Sequence, residues 1–279
     1  LSRRLSPTLT ENQLMVDLEK AGIEKGDLIY VHSSLSEIGN VNGGAKTVIQ
    51  ALMNIVSHEG TIAMPCHLTP SEVMERAKNG EITDLRIAKP ITGKIPETFM
   101  SWPEVRRSSH PFSSTCAWGK HSEYLTNGHE ADDRICHKDS PLGRLYELNG
   151  KIMGIGTNFG KIGFYHVLED TWDSFPFHVY MPKESITYID SNGARITRRV
   201  CRYNPDISRA RIDTEGGKAI RREFKKLFLK KGIIKYFYFG HAKSWIMSAK
   251  AVYNEQKMLS QDGITIYSTR KDFKRISNM

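Results

Sequence analysis

The sequence lacks long apolar runs. None of its 279 residues sits in a stretch approaching 18 consecutive apolar positions, so a membrane-spanning helix is excluded from the reading. The opening residues, Leu1-Ser-Arg-Arg-Leu-Ser, hold no apolar core of the kind a secretory signal needs. Cysteine is scarce: Cys66, Cys116, Cys136 and Cys201 stand far apart, with no Cys-x-x-Cys. A disulfide scaffold is thereby excluded, and reduced thiols in a cytoplasmic protein are expected. No Gly-x-Ser-x-Gly is present, which argues against a serine-hydrolase elbow. No His-Glu-x-x-His occurs, and Cys116, His121, His129, Cys136 and His137 match no standard zinc spacing, so no metal is expected. There is no internal repeat and no clear linker. The expectation is one domain over 1–279, with a core at 10–258 and a loose tail at 271–279.

What is present fits a globular chain: hydrophobic residues make up 39%. Formal net charge is +9, unevenly spread. Residues 195–250 hold 16 Lys/Arg against 4 Asp/Glu, a local +12, which leaves −3 for the rest. A basic region of that size suits an anionic partner, such as a phosphorylated cofactor, a nucleotide or nucleic acid. A solvated basic helix face explains the count equally well.

The chain is organised around residues 27–45. The apolar run 28–31 reads as a buried strand. Small polar residues, His32-Ser33-Ser34, follow, then a loop with Gly39, Gly43 and Gly44. Ala45, Val48, Ile49, Leu52 and Val56 then recur at helical spacing. Strand, small-residue loop and helix offer backbone N–H groups to an anion. The loop fits neither Gly-x-Gly-x-x-Gly nor a P-loop. A second buried strand at 61–65 completes a β-α-β unit, which implies a parallel pair.

Further along, Thr10 caps a helix over 10–21. Residues 66–98 read as a long excursion with one helix at 71–78, the kind of segment that can form an active-site lid. A helix end at 98–102, a strand at 115–118 and a helix at 123–127 follow. Ser140-Pro141 starts a helix over 142–148, with serine as cap and proline in the first turn. Residues 151–155 form a strand and 165–171 a helix. Asn192-Gly193 between 185–190 and 194–203 predicts a hairpin. Residues 215–231 form an amphipathic helix with Phe224 and Phe228 on its apolar side. A strand at 233–239 and a long helix at 244–258 complete the pattern.

For chemistry, His166 and Glu169 share one helix face. A carboxylate beside an imidazole orients it and raises its basicity, as a general base requires. Glycines 154, 156, 160 and 163 precede the pair, after a strand, and α/β sites form at the C-terminal ends of strands. On spacing alone a surface His/Glu pair is the competing explanation. A free histidine would titrate at roughly 6 to 7.

Together, His-Ser-Ser-Leu-Ser-x-Ile-Gly-x-Val-x-Gly-Gly-Ala (32–45), Gly-Thr-Ile-x-Met-Pro (60–65), Arg-Ser-x-His-Pro-x-x-Ser-x-x-Ala-x-Gly (107–119), Ser-Pro-Leu-Gly-x-Leu-Tyr (140–146) and His-x-x-Glu (166–169) resemble the aminoglycoside 3-N-acetyltransferase family. The likeness covers about 10–258. It implies that family's own α/β fold, distinct from the GNAT fold: a central, largely parallel sheet flanked by helices, plus a C-terminal antiparallel hairpin. It implies an N-acetyltransferase that moves an acetyl group from acetyl-CoA to an amino sugar. The CoA residues it implies are Ser33, Ser34, Leu35, Val41, Gly43, Gly44, His110 and Ser114. His166 is the implied catalytic base, with Glu169 beside it at the amine. A bulky side chain at Gly44 is expected to block CoA.

Partners on this reading are acetyl-CoA and a small amino sugar, with no membrane, nucleic acid disfavoured, and a homodimer as a candidate assembly. The family has Asn-Thr shortly before the histidine where this chain has Ile162-Gly163, so a hydroxyl is missing. Two alternatives stand. An amino sugar linked to a nucleotide, as in surface-glycan synthesis, would suit the basic region. A nucleic-acid-binding protein would use the basic 195–250 face, but Phe224 and Phe228 lie on the apolar side rather than among the arginines.

Overall fold

The computed structural model describes residues 8–277. The reading of residues 1–6 lies outside them, as do positions 278 and 279 of the expected tail. Helix α1 (Glu11–Lys20) starts on a capping box in which Thr10 and Gln13 satisfy each other's backbone N–H groups. Strand β1 (Leu28–Ser33), a single turn α2 (Leu35–Ile38), helix α3 (Ala45–Val56) and strand β2 (Thr61–Pro65) form the expected β-α-β unit. Then come α4 (Pro70–Lys78), β3 (Thr83–Asp84), α5 (Lys94–Met100), β4 (Arg106–Arg107), β5 (Thr115–Gly119) and α6 (Ser122–Thr126). Helix α7 (Pro141–Glu147) begins where Ser140 accepts from the Gly143 N–H. Strand β6 (Lys151–Ile155) leads through a 3-10 turn (Gly163–His166) into α8 (Val167–Thr171).

The second half contains β7 (Glu184–Ile189), β8 (Arg195–Val200), α9 (Pro205–Ser208), α10 (Lys218–Lys230), β9 (Ile234–Phe239), β10 (Ala242–Ser248), α11 (Ala249–Gln261) and α12 (Arg270–Ser277). Two expectations change here. Residues 244–248, expected as the start of the last helix, belong to strand β10 (Ala242–Ser248). Trp245, Ile246 and Met247 are all buried, so the segment carries no alternation to mark it as a strand. The expected loose tail is helical over Arg270–Ser277, and Phe273 reaches the Phe224 ring at 5.6 Å.

Seven strands form the main sheet in the order β4-β5-β2-β1-β6-β10-β9. Its centre, β2-β1-β6, is parallel, as the β-α-β pattern requires. Outside that centre both flanks run antiparallel. A smaller sheet, β3-β7-β8, holds the Asn192-Gly193 hairpin, and Gly193 takes φ 90° at its turn.

Alternation along β1 splits the core into two layers. Ile29 and Val31 face α1, α3 and α5, while Leu28 and Tyr30 pack among residues of α7, α8, α10 and α11. At the β6–β10 seam Trp245 lies opposite Gly154, where an added Cβ would come within 2.1 Å of the indole. None of the described helices is long and apolar enough to cross a membrane.

Candidate active site

The three parallel strands end on the same edge of the sheet, and the residues beyond those ends enclose a cleft of about 980 Å³. His32 and Ser33 come from β1, Pro65 from the end of β2, and Thr157, Asn158, Lys161, Ile162 and Gly163 from the segment after β6. The long 66–98 excursion contributes His67, Leu68, Pro70, Ile91 and Thr92 to its wall.

His166 closes the 3-10 turn, lines this cleft and is 4% exposed. Its Nδ1 sits 2.6 Å from Glu169 Oε1, so the expected pair forms, and it forms inside the protein rather than on the surface. Glu169 is fixed from its other oxygen by the Tyr267 hydroxyl, which donates at 2.7 Å. Nε2 faces Asp213 Oδ2 at 3.8 Å. Arg211 holds Asp213 through Nε at 2.6 Å and Nη2 at 2.9 Å. The Tyr203 ring lies tilted against the imidazole, with ring centres 4.4 Å apart, and the Arg211 guanidinium stands over Tyr203 at 4.8 Å.

Burial opposes protonation of His166, but the Glu169 charge and the Asp213 and Glu169 contacts outweigh it, and the imidazole pKa rises to about 9. That is above the roughly 6 to 7 expected of a free histidine. For Asp213, burial works upward, yet His166 and Arg211 hold the carboxyl well below its usual range. Next along α8, burial raises Asp170 to about 7, although the Tyr180 hydroxyl donates to both its oxygens and the Cys136 N–H to one.

Ser33 lines the His166 cleft, and Ser33, Ser34 and Leu35 line a second cavity of about 810 Å³ that also includes Gly39, Asn40, Gly93 and Lys94. The other CoA residues implied by the resemblance lie elsewhere. Val41, Gly43 and Gly44 line neither cavity. They shape the loop: Val41 bridges to Leu9, and Gly43 and Gly44 take φ 79° and 61° ahead of α3. His110 and Ser114 are buried behind the wall that Phe112 and Ser113 form. His110 Nδ1 accepts the N–H groups of Phe112 and Ser113. Ser114 donates to the Cys66 carbonyl and accepts from Arg107. Both shape the turn that carries Phe112 and Ser113.

Sequence reasoning missed His67, Tyr203, Arg211, Asp213 and Tyr267. They come from loops up to 101 positions from His166, and no local periodicity marks them. Among the described residues no group of three or more His, Cys, Asp or Glu side chains could hold a metal. His129, one of the spaced set, has both ring nitrogens engaged, by Ser108 Oγ and the Ile135 carbonyl.

A family model described as aminoglycoside 3-N-acetyltransferase matches residues 30–260. The SPbeta prophage-derived aminoglycoside N(3')-acetyltransferase-like protein YokD of Bacillus subtilis (strain 168) is 36% identical over 176 residues. Those residues are 57% of this chain and 64% of YokD. The YokD crystal structure superposes with a TM-score of 0.74, covering 92% of this chain and 96% of that one. Aminoglycoside N(3)-acetyltransferase IX of Micromonospora chalcea is 28% identical over 267 residues, 88% of this chain and 91% of that protein. A structure described as AAC-IIIb binary with CoASH shares the fold at a TM-score of 0.77 and 22% identity, covering 91% and 98%. The matched family segment spans well over half of the chain, including the loop and helix after β1, the His166–Glu169 pair and most of the main sheet, so the chain belongs to the aminoglycoside 3-N-acetyltransferase family.

Proposed function

We propose that this chain transfers the acetyl group of acetyl-CoA to an amino group of an aminoglycoside-type amino sugar. The observation that carries the reading is the His166–Glu169 pair, set at the junction of two cavities. His166 lines the cleft at the strand ends. Glu169 also lines a neighbouring cavity of about 740 Å³ together with Asp132, Asp133 and Asp173. Arg134 and Lys183 line the same cavity and pair with Asp132 and Asp133, which leaves Glu169 and Asp173 as the carboxylates for a substrate ammonium, whereas the basic count of 195–250 had favoured an anionic amine. Six of those sixteen cations are already ion-paired within the chain. The relatives' names also point to aminoglycosides rather than to nucleotide-linked sugars. Nucleic-acid binding gains no support either, since Phe224 and Phe228 are fully buried.

The steps follow from the parts. Acetyl-CoA enters past Ser33, Ser34 and Leu35, and its thioester reaches the cleft. At neutral pH the empty site holds an imidazolium. A substrate ammonium docking beside it repels that charge and lowers its pKa, which frees the imidazole. The imidazolium proton passes to solvent, the freed His166 Nε2 takes one proton from the substrate ammonium, and the neutral amine so formed attacks the thioester carbon. The C–S bond breaks, the attacking nitrogen loses its second proton as the amide forms, and the leaving CoA thiolate is protonated from the His166 imidazolium. Glu169 keeps the ring oriented and stabilises its charge. With no hydroxyl at Ile162-Gly163, the cleft offers Ser33 Oγ, which is buried, has no hydrogen-bond partner among the described residues and belongs to a residue of the cleft wall. Aimed at the thioester oxygen, it would stabilise the tetrahedral oxyanion.

Thiol release from acetyl-CoA, screened against aminoglycosides and simple amino sugars, tests the reading. Turnover with an amine that carries several ammonium groups is expected. No turnover with any amine would reject it.

A further inference from the structure

The mechanism leaves one group of cations unused. Arg221 of α10 is only 8% exposed. Its Nη1 donates to the carbonyls of Ile212 at 2.7 Å and Thr214 at 3.3 Å, yet among the described residues no carboxylate pairs with it. A buried guanidinium without a counter-charge is costly. The fold nevertheless makes room for it: a Cβ on Gly160 would lie 2.1 Å from Arg221 Cδ. Arg221 lines both the His166 cleft and an adjoining cavity of about 480 Å³.

Lys218, Arg222, Lys225 and Lys243 also line the adjoining cavity, against a single carboxylate, Glu37. Lys218 is taken by Glu215 at 2.9 Å. Arg222 has no ion-pair partner among the described residues. Lys225 and Lys243 both lie over the Tyr236 ring, at 5.3 and 5.1 Å from its centre. Gathering like charges around one space is unfavourable unless an anion joins them. A second observation agrees: Thr157 Oγ1 is buried, has no hydrogen-bond partner among the described residues, and belongs to a residue lining both cavities.

We infer that this cavity is a phosphate site, in which Arg221, Arg222, Lys225, Lys243 and the Thr157 hydroxyl receive a phosphate of a substrate whose reacting end lies at His166. Guanidinium groups match phosphate oxygens in pairs, and lysines add point charge. The phosphate belongs either to the nucleotide end of the acyl-CoA or to the acceptor amine. The inference rests on the acetyl-transfer reading for its link to His166.

The double variant Lys225→Glu/Lys243→Glu tests it, because neither residue lines the reaction cleft. Binding of inorganic pyrophosphate is measured first by calorimetry, which needs no turnover. Affinity should fall at least tenfold in the folded variant. KM values follow for acetyl-CoA against S-acetylpantetheine, and for a phosphorylated amino sugar against its unphosphorylated form. A tenfold rise confined to acetyl-CoA places the donor's phosphate in the site, and a rise confined to the phosphorylated sugar places the acceptor's. Changes under twofold in every arm would overturn the inference. Absence of turnover in the unmutated chain would reject acetyl transfer instead, and the pyrophosphate arm would still decide the site. If the double reversal unfolds, Lys225→Ala/Lys243→Ala serves in its place.

Discussion

Replacing Glu169 with glutamine should move the pH dependence of turnover toward acid. The carboxylate lies 2.6 Å from His166 Nδ1, and the two side chains are 6% and 1% exposed, so solvent screens the pair little. Glutamine keeps the shape and an acceptor but removes the charge. Burial and Arg211 would then act against Asp213 alone, which is 3.8 Å away. Loss of one adjacent opposite charge lowers a pKa by about 1 to 3 pH units, at about 1.4 kcal/mol each. The limb associated with His166 should therefore fall from about 9 to below 8. The assay is kcat/KM for the amine by thiol release between pH 5.5 and 10. Deprotonation of the amine contributes equally to both proteins, so the difference between the profiles isolates His166. The plateau should also drop, since a less basic imidazole is a weaker proton acceptor. Stability supplies an independent reading. A pKa raised in the folded state gives stability that is complete below the unfolded value and lost as pH rises through about 9. Glu169→Gln should thus unfold more readily than the parent at pH 6, with the gap closing by pH 10. Identical limbs in a folded variant would refute the electrostatic argument.

Acid should destabilise the fold early. Burial holds His32 and His110 at about 3, His67 at about 4, and His129 well below its ordinary value, so unfolding near pH 5 takes up about four protons from these residues. These pKa values are depressed, so stability is full above the unfolded value near 6.5 and falls as pH drops toward 4; a Tm flat between pH 7 and 4.5 would contradict this. Gly154→Ala should cost at least about 1 to 3 kcal/mol in denaturant unfolding, because its Cβ would strike Trp245, and an unchanged midpoint would show that the seam adapts. Ser34→Trp should weaken CoA binding at least tenfold by calorimetry, since Ser34 lines the cavity. Gly44→Leu should cost about 1 to 3 kcal/mol of stability through its φ of 61°. The space beside its Cα is open, so the folded variant is also expected to weaken CoA binding, and an unchanged affinity would rule Gly44 out as a contact residue.

Local chemistry made much of the fold legible. Thr10, Ser140-Pro141 and Asn192-Gly193 each fix a helix start or turn through their own side chains and backbone preferences, and each stands where the sequence predicts. Strand β10 was not legible. Its Trp245-Ile246-Met247 run is buried on both faces, and its length and spacing fit a helix equally well. At the site, His166 and Glu169 are three residues apart and so visible locally. Asp213, Arg211, Tyr203 and Tyr267 reach the imidazole only because the chain returns over it after the small sheet, and tertiary packing alone brings them there. The raised pKa of His166 was hidden for the same reason, since Asp213 contributes to it. His110 and Ser114 carry a family resemblance, and the structure buries both beside the cleft wall, with His110 Nδ1 and Ser114 Oγ engaged and His110 Nε2 without a hydrogen-bond partner among the described residues.

The central claim is that His166 is the base, and His166→Ala tests it most directly. Kinetics with acetyl-CoA and the best amine should be measured from pH 6 to 9, with CoA affinity and Tm determined alongside. A positioned base contributes about 10²- to 10⁴-fold, or about 3 to 5 kcal/mol of barrier. The account predicts a kcat lower by that range, with CoA affinity and folding retained. A folded His166→Ala protein whose kcat stays within about threefold of the parent across that pH range would contradict it.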